Sequence, residues 1–239
     1  MSILNRAARG ALCLMFAAAL AACGNSEADQ RKAFIAFLQD INNRPGAHVL
    51  VPSANDGKAF GPYLAHYAII LDFNKGMNAS TQDFVAQLSK LGFGPNPSSR
   101  SIEQLAAAPA DLTVTKDAVD KIEQSLETRL AKASADRAAL KQPDDLEAVY
   151  DKTFERLVSA PALAFENSAK ALSTGVGATL ALVTYINAHR GKLVVSAMQI
   201  QAKDRHTLDE IAPLMKAYQD AGERFVAVQR ASDRVLSGN

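Results

Sequence analysis

Six side chains carry the reactivity to look for first: Cys13, Cys23, His48, His66, His189 and His206. A deprotonated thiol is a nucleophile, and a histidine beside a carboxylate can act as a general base. Among the histidines, His66 has polar and aromatic company in Tyr63, Tyr67 and Asp72. Its spacing opposes a joint site. His66 and Asp72 are six residues apart, roughly 600° around a helix, so they fall on different faces. His66 therefore reads as a half-buried structural residue. HExxH, CxxC, the P-loop and GxSxG are all missing from the sequence. Gly175-Val176-Gly177 begins like a phosphate loop but does not complete GxGxxG and follows no strand; its small residues read instead as permitting close helix contact. No catalytic, cofactor-binding or metal-ligating residue is assigned, and the expected class is not an enzyme.

Cys23 is different, because of what precedes it. Arg6 and Arg9 make a cationic start, an apolar run extends from Gly10 to Ala22, and Leu20-Ala21-Ala22 stand before the thiol. The run is too short to span a hydrocarbon core, which takes roughly 20 apolar residues, so cleavage is expected rather than a permanent anchor. Leu at −3 and Cys at +1 resemble the lipobox of bacterial lipoproteins. That resemblance implies a thioether-linked diacylglycerol on Cys23 and an acylated, palmitate-bearing new N-terminus. Two or more chains hold a protein firmly, at about 0.8 kcal/mol per buried methylene. A secreted soluble protein is the alternative. Gly24 stands where aspartate would favour retention in the inner membrane. A periplasm-facing position on the inner leaflet of the outer membrane is therefore favoured.

Removing residues 1–22 from the 239 takes away Arg6, Arg9 and Cys13, leaving 217 residues with 24 basic and 25 acidic side chains. Such a balance leaves no electrostatic footprint for nucleic acid, which is not an expected partner. With Cys23 acylated no internal disulfide can form, so the fold must rest on its core. A little over 200 residues is ample for that.

The elements follow from periodicity and punctuation. Ser26 with Asp29 forms a capping box, and Phe34, Ile35, Phe37, Leu38 and Ile41 continue at helical spacing, predicting a helix over about 27–43 closed by Pro45-Gly46. Residues 44–61 read as a loop, with Val49-Leu50-Val51 tucked onto the core. A helix is expected from about Pro62 to Phe73 and a separate one opened by Ser80 and Asp83. Gly92-Phe-Gly-Pro-Asn-Pro-Ser-Ser99 is the strongest break. Next come a short helix at 101–108, an amphipathic helix at about 112–142 with Val119, Ile122, Leu126, Leu130, Ala133 and Leu140 apolar, and another at 144–159. Residues 171–188 lack charge but are too polar to span a membrane, and they read as the central core helix. Residues 192–201 are helical or extended, with no strand partner unless Val49–Val51 supplies one. Thr207 with Glu210 opens a last helix to about 235. The expectation is an all-α fold, an irregular helical bundle after a cleaved lipoprotein signal peptide (1–22) and a short tether (23–29). Residues 30–239 form one domain that can be subdivided at 92–99.

Asp29-Gln-Arg-Lys-Ala-Phe-Ile-Ala-Phe-Leu-Gln39, Phe60-Gly-Pro-Tyr-Leu-Ala-His-Tyr-Ala-Ile69 and Ala139-Leu-Lys-Gln-Pro-Asp-Asp-Leu146 resemble segments of a family of uncharacterised Gram-negative lipoproteins, of the domain of unknown function 3053 type. The resemblance covers most of the chain after the signal and is weakest between 75 and 110. It implies location and fold class, and brings no binding residues with it. Two functional expectations stand. The first is a non-enzymatic envelope module, attached to the membrane through the lipid on Cys23, that binds another envelope protein. The second is a pocket for a lipid or small hydrophobic ligand, lined by Phe34, Phe37, Tyr67, Phe73 and Leu180.

Overall fold

The computed structural model describes residues 26–91, 100–196 and 199–238. Cys23, the segment before it and the break at 92–99 lie outside the described residues. The all-α expectation holds: helices account for nearly the whole of what is described, with one two-stranded hairpin.

α1 (Glu27–Asn43) starts where its capping box puts it, with the Ser26 hydroxyl accepting from Asp29 N at 3.2 Å and the Asp29 carboxylate accepting from Ser26 N at 3.3 Å. It buries Phe34, Leu38 and Ile41. Within the expected loop a second capping box, Ser53 with Asp56, opens α2 (Ala54–Phe60), and a 3₁₀ turn (Gly61–Tyr63) leads into α3 (Leu64–Lys90). Of the apolar triplet, Val49 and Leu50 do pack on the core, while Val51 is 81% exposed.

α3 is one helix where two were expected. Tyr67, Ile70, Phe73, Met77, Ser80 and Phe84 form an unbroken buried stripe, so Ser80 faces the core instead of capping a new helix. Gly76 lies buried within this helix beneath Arg129, whose Nη1 lies 2.5 Å from where a Cβ would be, so a side chain there would displace it. α4 (Ile102–Ala107) and α5 (Pro109–Ala138) follow. α5 turns Leu112, Thr115, Val119, Leu126 and Ala133 inward and ends four residues before the expected 142.

The frame of the molecule is a continuous helical run from Asp144 to Ala188, 45 residues, or roughly 65 Å at about 1.5 Å per residue. It consists of α6 (Asp144–Phe154), a π-helical turn (Glu155–Ser159) and α7 (Ala160–Ala188). The sequence suggested a stop near 159, with Pro161 just beyond. Proline cannot donate to the carbonyl four residues back, here that of Leu157. Asn74 of α3 supplies the missing donor, its Nδ2 reaching Leu157 O at 3.0 Å. The run is long and apolar enough in composition to cross a membrane; Leu157, Leu172, Val176, Leu182, Val183 and Ile186 are buried in the core, while Leu163 is exposed.

Leu193–Val195 (β1) pairs antiparallel with Ile200–Ala202 (β2), so the extended segment finds its partner in itself rather than in Val49–Val51. α8 (Arg205–Ser237) is capped by Asp204, which accepts from Thr207 N at 2.8 Å, three residues before the Thr207–Glu210 box the sequence suggested.

α1 and α3 run parallel to the long helix and α5 and α8 antiparallel to it. The direction is set by contacts such as Arg31–Asp145 with Asn42–Thr153, Tyr150–His66, Arg137–Asp151 with Asp120–Ser173, and Tyr185–Glu210 with Ser168–Ser232. α1 therefore covers the first part of the long helix and α8 the rest, and their C-termini meet beside the π turn. There Ala47 N donates to Leu236 O at 3.0 Å. Gly46 and Gly238 both have positive φ, and a Cβ on Gly238 would lie 2.2 Å from Gly46 N. Two helix C-termini bring two partial negative charges together. Arg156, in the π turn, answers them by donating to the carbonyls of Gly46 (3.0 Å), Asn42 (3.3 Å) and Arg44.

Candidate functional site

The residues expected to line an apolar pocket do not enclose one. Phe34 and Tyr67 are fully buried, and Phe37 packs on Phe60 and Tyr67 with ring centroids at 5.0 and 5.1 Å. Leu180 lies on α7, on another part of the molecule. Burial pushes the Tyr67 hydroxyl up to about 12, and it donates to Leu50 O at 2.9 Å. His66 sits in the same cluster, edge-on to Tyr63 and Tyr150, with Nδ1 2.9 Å from Gln142 Nε2. Burial holds it below the ordinary histidine range. Its role is packing, and Asp72 is on another face of α3, lining a groove toward α5.

The open apolar space lies between α7 and α8. The two helices are fastened at Ser168 and Ser232, whose hydroxyls are 2.9 Å apart and each 3.0 Å from Ala164 O. Further along the seam lie Gly175 and Gly222, and among the described residues a Cβ at either would meet no atom within 4 Å. Gly175 therefore opens space rather than closing a helix contact, contrary to the reading from sequence, and Gly177 has only Lys116 Cε at 3.9 Å. The result is a groove of about 440 Å³. Its floor is the buried Leu105, Leu112, Leu172 and Val176, and Tyr218 and Val226 form a half-exposed rim. Among the described residues Arg100 is the one charged side chain in the lining, held by a 3.0 Å ion pair to Asp111. Such a lining can hold an apolar body and orient an anion, and it offers no nucleophile.

Two polar clusters went unseen in the sequence because they join distant helices. Glu123 and Glu127 of α5 and Glu166 of α7 bring carboxylate oxygens within 4.8 Å of one another. Burial raises Glu123 above the usual range, and Lys170 lies 3.6 Å from it while also pairing with Glu166, so the cluster already holds a cation. At the far end, Tyr185 donates to Glu210 at 2.7 Å, with His189 stacked on Tyr185 at 4.0 Å and His206 3.4 Å from Glu210. Each half, Tyr185/His189 and His206/Glu210, is a spacing of four on one helix, which is the only trace the sequence carries.

Comparison with known proteins gives relatives of the whole chain. Escherichia coli (strain K12) has an "Uncharacterized protein YiaF" that is 28% identical over 227 residues, 92% of this chain and 93% of the relative. Shigella flexneri has one with the same identity and coverage. No solved structure matches. The family described as "Protein of unknown function (DUF3053)" matches residues 11–233, and the chain belongs to that family.

Proposed function

We propose that this is a lipid-anchored envelope protein, acylated at Cys23, that acts by binding another envelope protein and not by catalysis. The observation carrying the reading is where α1 begins. Ser26 is already the N-cap, so two residues, Gly24 and Asn25, separate the acylated cysteine from a rigid helix. Extended chain covers at most about 3.6 Å per residue, so the tether holds the bundle within roughly 10 Å of its lipid. In this reading the end bearing the starts of α1, α3 and α6 faces the outer membrane from the periplasm, and the far end of α7 and α8 projects away from it. A non-enzymatic role draws support from the histidines His66, His189 and His206 being engaged in packing or surface pairs.

Metabolic labelling with an alkyne-bearing palmitate, followed by fractionation, tests the anchor. The wild-type chain takes the label and pellets with membranes, while Cys23→Ala takes none and moves to the soluble periplasmic fraction. An unlabelled, soluble wild-type chain would overturn the anchor. In-cell cross-linking tests the partner: one recurrent envelope protein, lost in Cys23→Ala, is expected, and recovery of lipids alone counts against it.

A further inference from the structure

We infer that the groove between α7 and α8 binds a long-chain fatty acid, with the chain lying across Gly175 and Gly222 and the carboxylate at Arg100. A glycine inside a helix costs about 1 kcal/mol relative to alanine. Neither Gly175 nor Gly222 has the positive φ that would call for glycine, and among the described residues a Cβ on either would meet nothing within 4 Å. Both line the groove, Gly175 half-buried and Gly222 exposed, and a side chain at either would narrow it. That space is about 440 Å³, within the roughly 300–1,000 Å³ of small-molecule sites, and its floor is aliphatic.

The charge pattern selects the head. Arg100 is the single charged group among the described lining residues, its side chain 25% exposed, with Asp111 on one of its nitrogens. A planar guanidinium fork suits a carboxylate. One partly engaged guanidinium matches a singly charged head better than a phosphate monoester. The shape argues against a second copy of the chain, because the rim presents only Tyr218 and Val226 as exposed apolar groups, far from the roughly 800 Å² per partner of a stable interface. The inference is independent of acylation at Cys23.

The test uses the full chain in phosphatidylcholine nanodiscs with a diazirine-bearing long-chain fatty acid, mapping photo-cross-links by peptide mass spectrometry. Cross-links are expected in Leu172–Thr179 and Tyr218–Val226. Gly175→Leu with Gly222→Leu fills the groove and should lower labelling there by about tenfold or more. Gly175→Ala with Gly222→Ala, which adds only two Cβ atoms, checks that the helices tolerate substitution by keeping or raising the melting temperature. Arg100→Gln should weaken labelling by the acid several-fold while leaving labelling by the matching fatty alcohol unchanged. The inference is overturned by cross-links that lie outside the groove, by labelling that survives the leucine pair in a folded chain, or by equal acid and alcohol labelling in the wild type. It is also overturned if the chain is a dimer that the leucine pair dissociates.

Discussion

The long helix from Asp144 to Ala188 is covered twice, and the two covers differ in kind. Over α6, α1 brings Phe34 and Phe37 against Phe60, Tyr63 and Tyr67, so that rings fill the space and tyrosine hydroxyls find partners at the edge. Over α7, α8 packs Ile211, Leu214, Met215 and Phe225 on the core and is tied at Ser168–Ser232, yet between these points part of the seam stays open. Rings close one half; in the other, a stretch lined by Gly175 and Gly222 is left available. The difference shows why burial and function separate here: aromatic residues, the obvious candidates for a binding site, are spent on packing, while the accessible apolar space sits where side chains are lacking.

Phe34 is the position most able to break the closed half. It is fully buried among four rings, and Phe34→Ala should destabilise the chain by about 3–5 kcal/mol, read as a shifted urea midpoint with an unchanged slope. The junction between the halves comes next. Removing the Arg156 guanidinium leaves the carbonyls of Asn42, Arg44 and Gly46 beside a second helix C-terminus without a donor, and Arg156→Ala should cost about 2 kcal/mol. Arg156→Lys restores the charge without the fork and should recover only part of that. If Arg156→Ala is silent, the two halves are not coupled at this point.

In the open half the sign reverses. Gly175→Ala and Gly222→Ala each remove a helical glycine without a clash, so each should stabilise by about 0.5–1 kcal/mol, measured by thermal melting. Destabilisation would mean that the seam is tighter than the groove requires and that the contrast between halves is overstated.

These sites also mark how far the sequence could be read. α1 was legible to the residue, because Ser26 and Asp29 form a local box and the apolar spacing agrees with it. Where local and distant signals disagree, distance won. Ser80 and Asp83 mimic a helix start, but Met77, Ser80 and Phe84 continue the buried stripe of Tyr67, Ile70 and Phe73 onto the core, and the helix runs on. The expected end near 159 is overridden as well: Asn74, 83 residues before Leu157, donates to the Leu157 carbonyl that Pro161 cannot serve, and the run continues. Gly175 looks like a contact residue, since a missing side chain serves close approach and open space equally. Only the groove that it lines together with Gly222 decides between them. The all-α class survived these errors because each changed where a helix ended and not what it was.

Acid should probe the closed half alone, and with the smallest effect. The amide nitrogen of Gln142 can only donate, so at 2.9 Å it requires an unprotonated Nδ1 on His66, while Tyr63 and Tyr150 lie edge-on around the ring. Burial lowers the folded affinity of His66 for a proton below the 6.5 of an exposed histidine. Between 6.5 and that lowered value the unfolded chain therefore binds more protons than the folded one, and stability falls as pH falls. Below the folded value this residue adds no further loss. His66→Asn removes the ionisation, so its stability difference from wild type should vary with pH in this window and level off above about pH 7.5. Hydrogen exchange should show the acid loosening first in α1 and the start of α3, with α7 and α8 protected as before. Exchange rising first along α8 would place the acid-sensitive contact in the open half instead, where the exposed His206 meets Glu210.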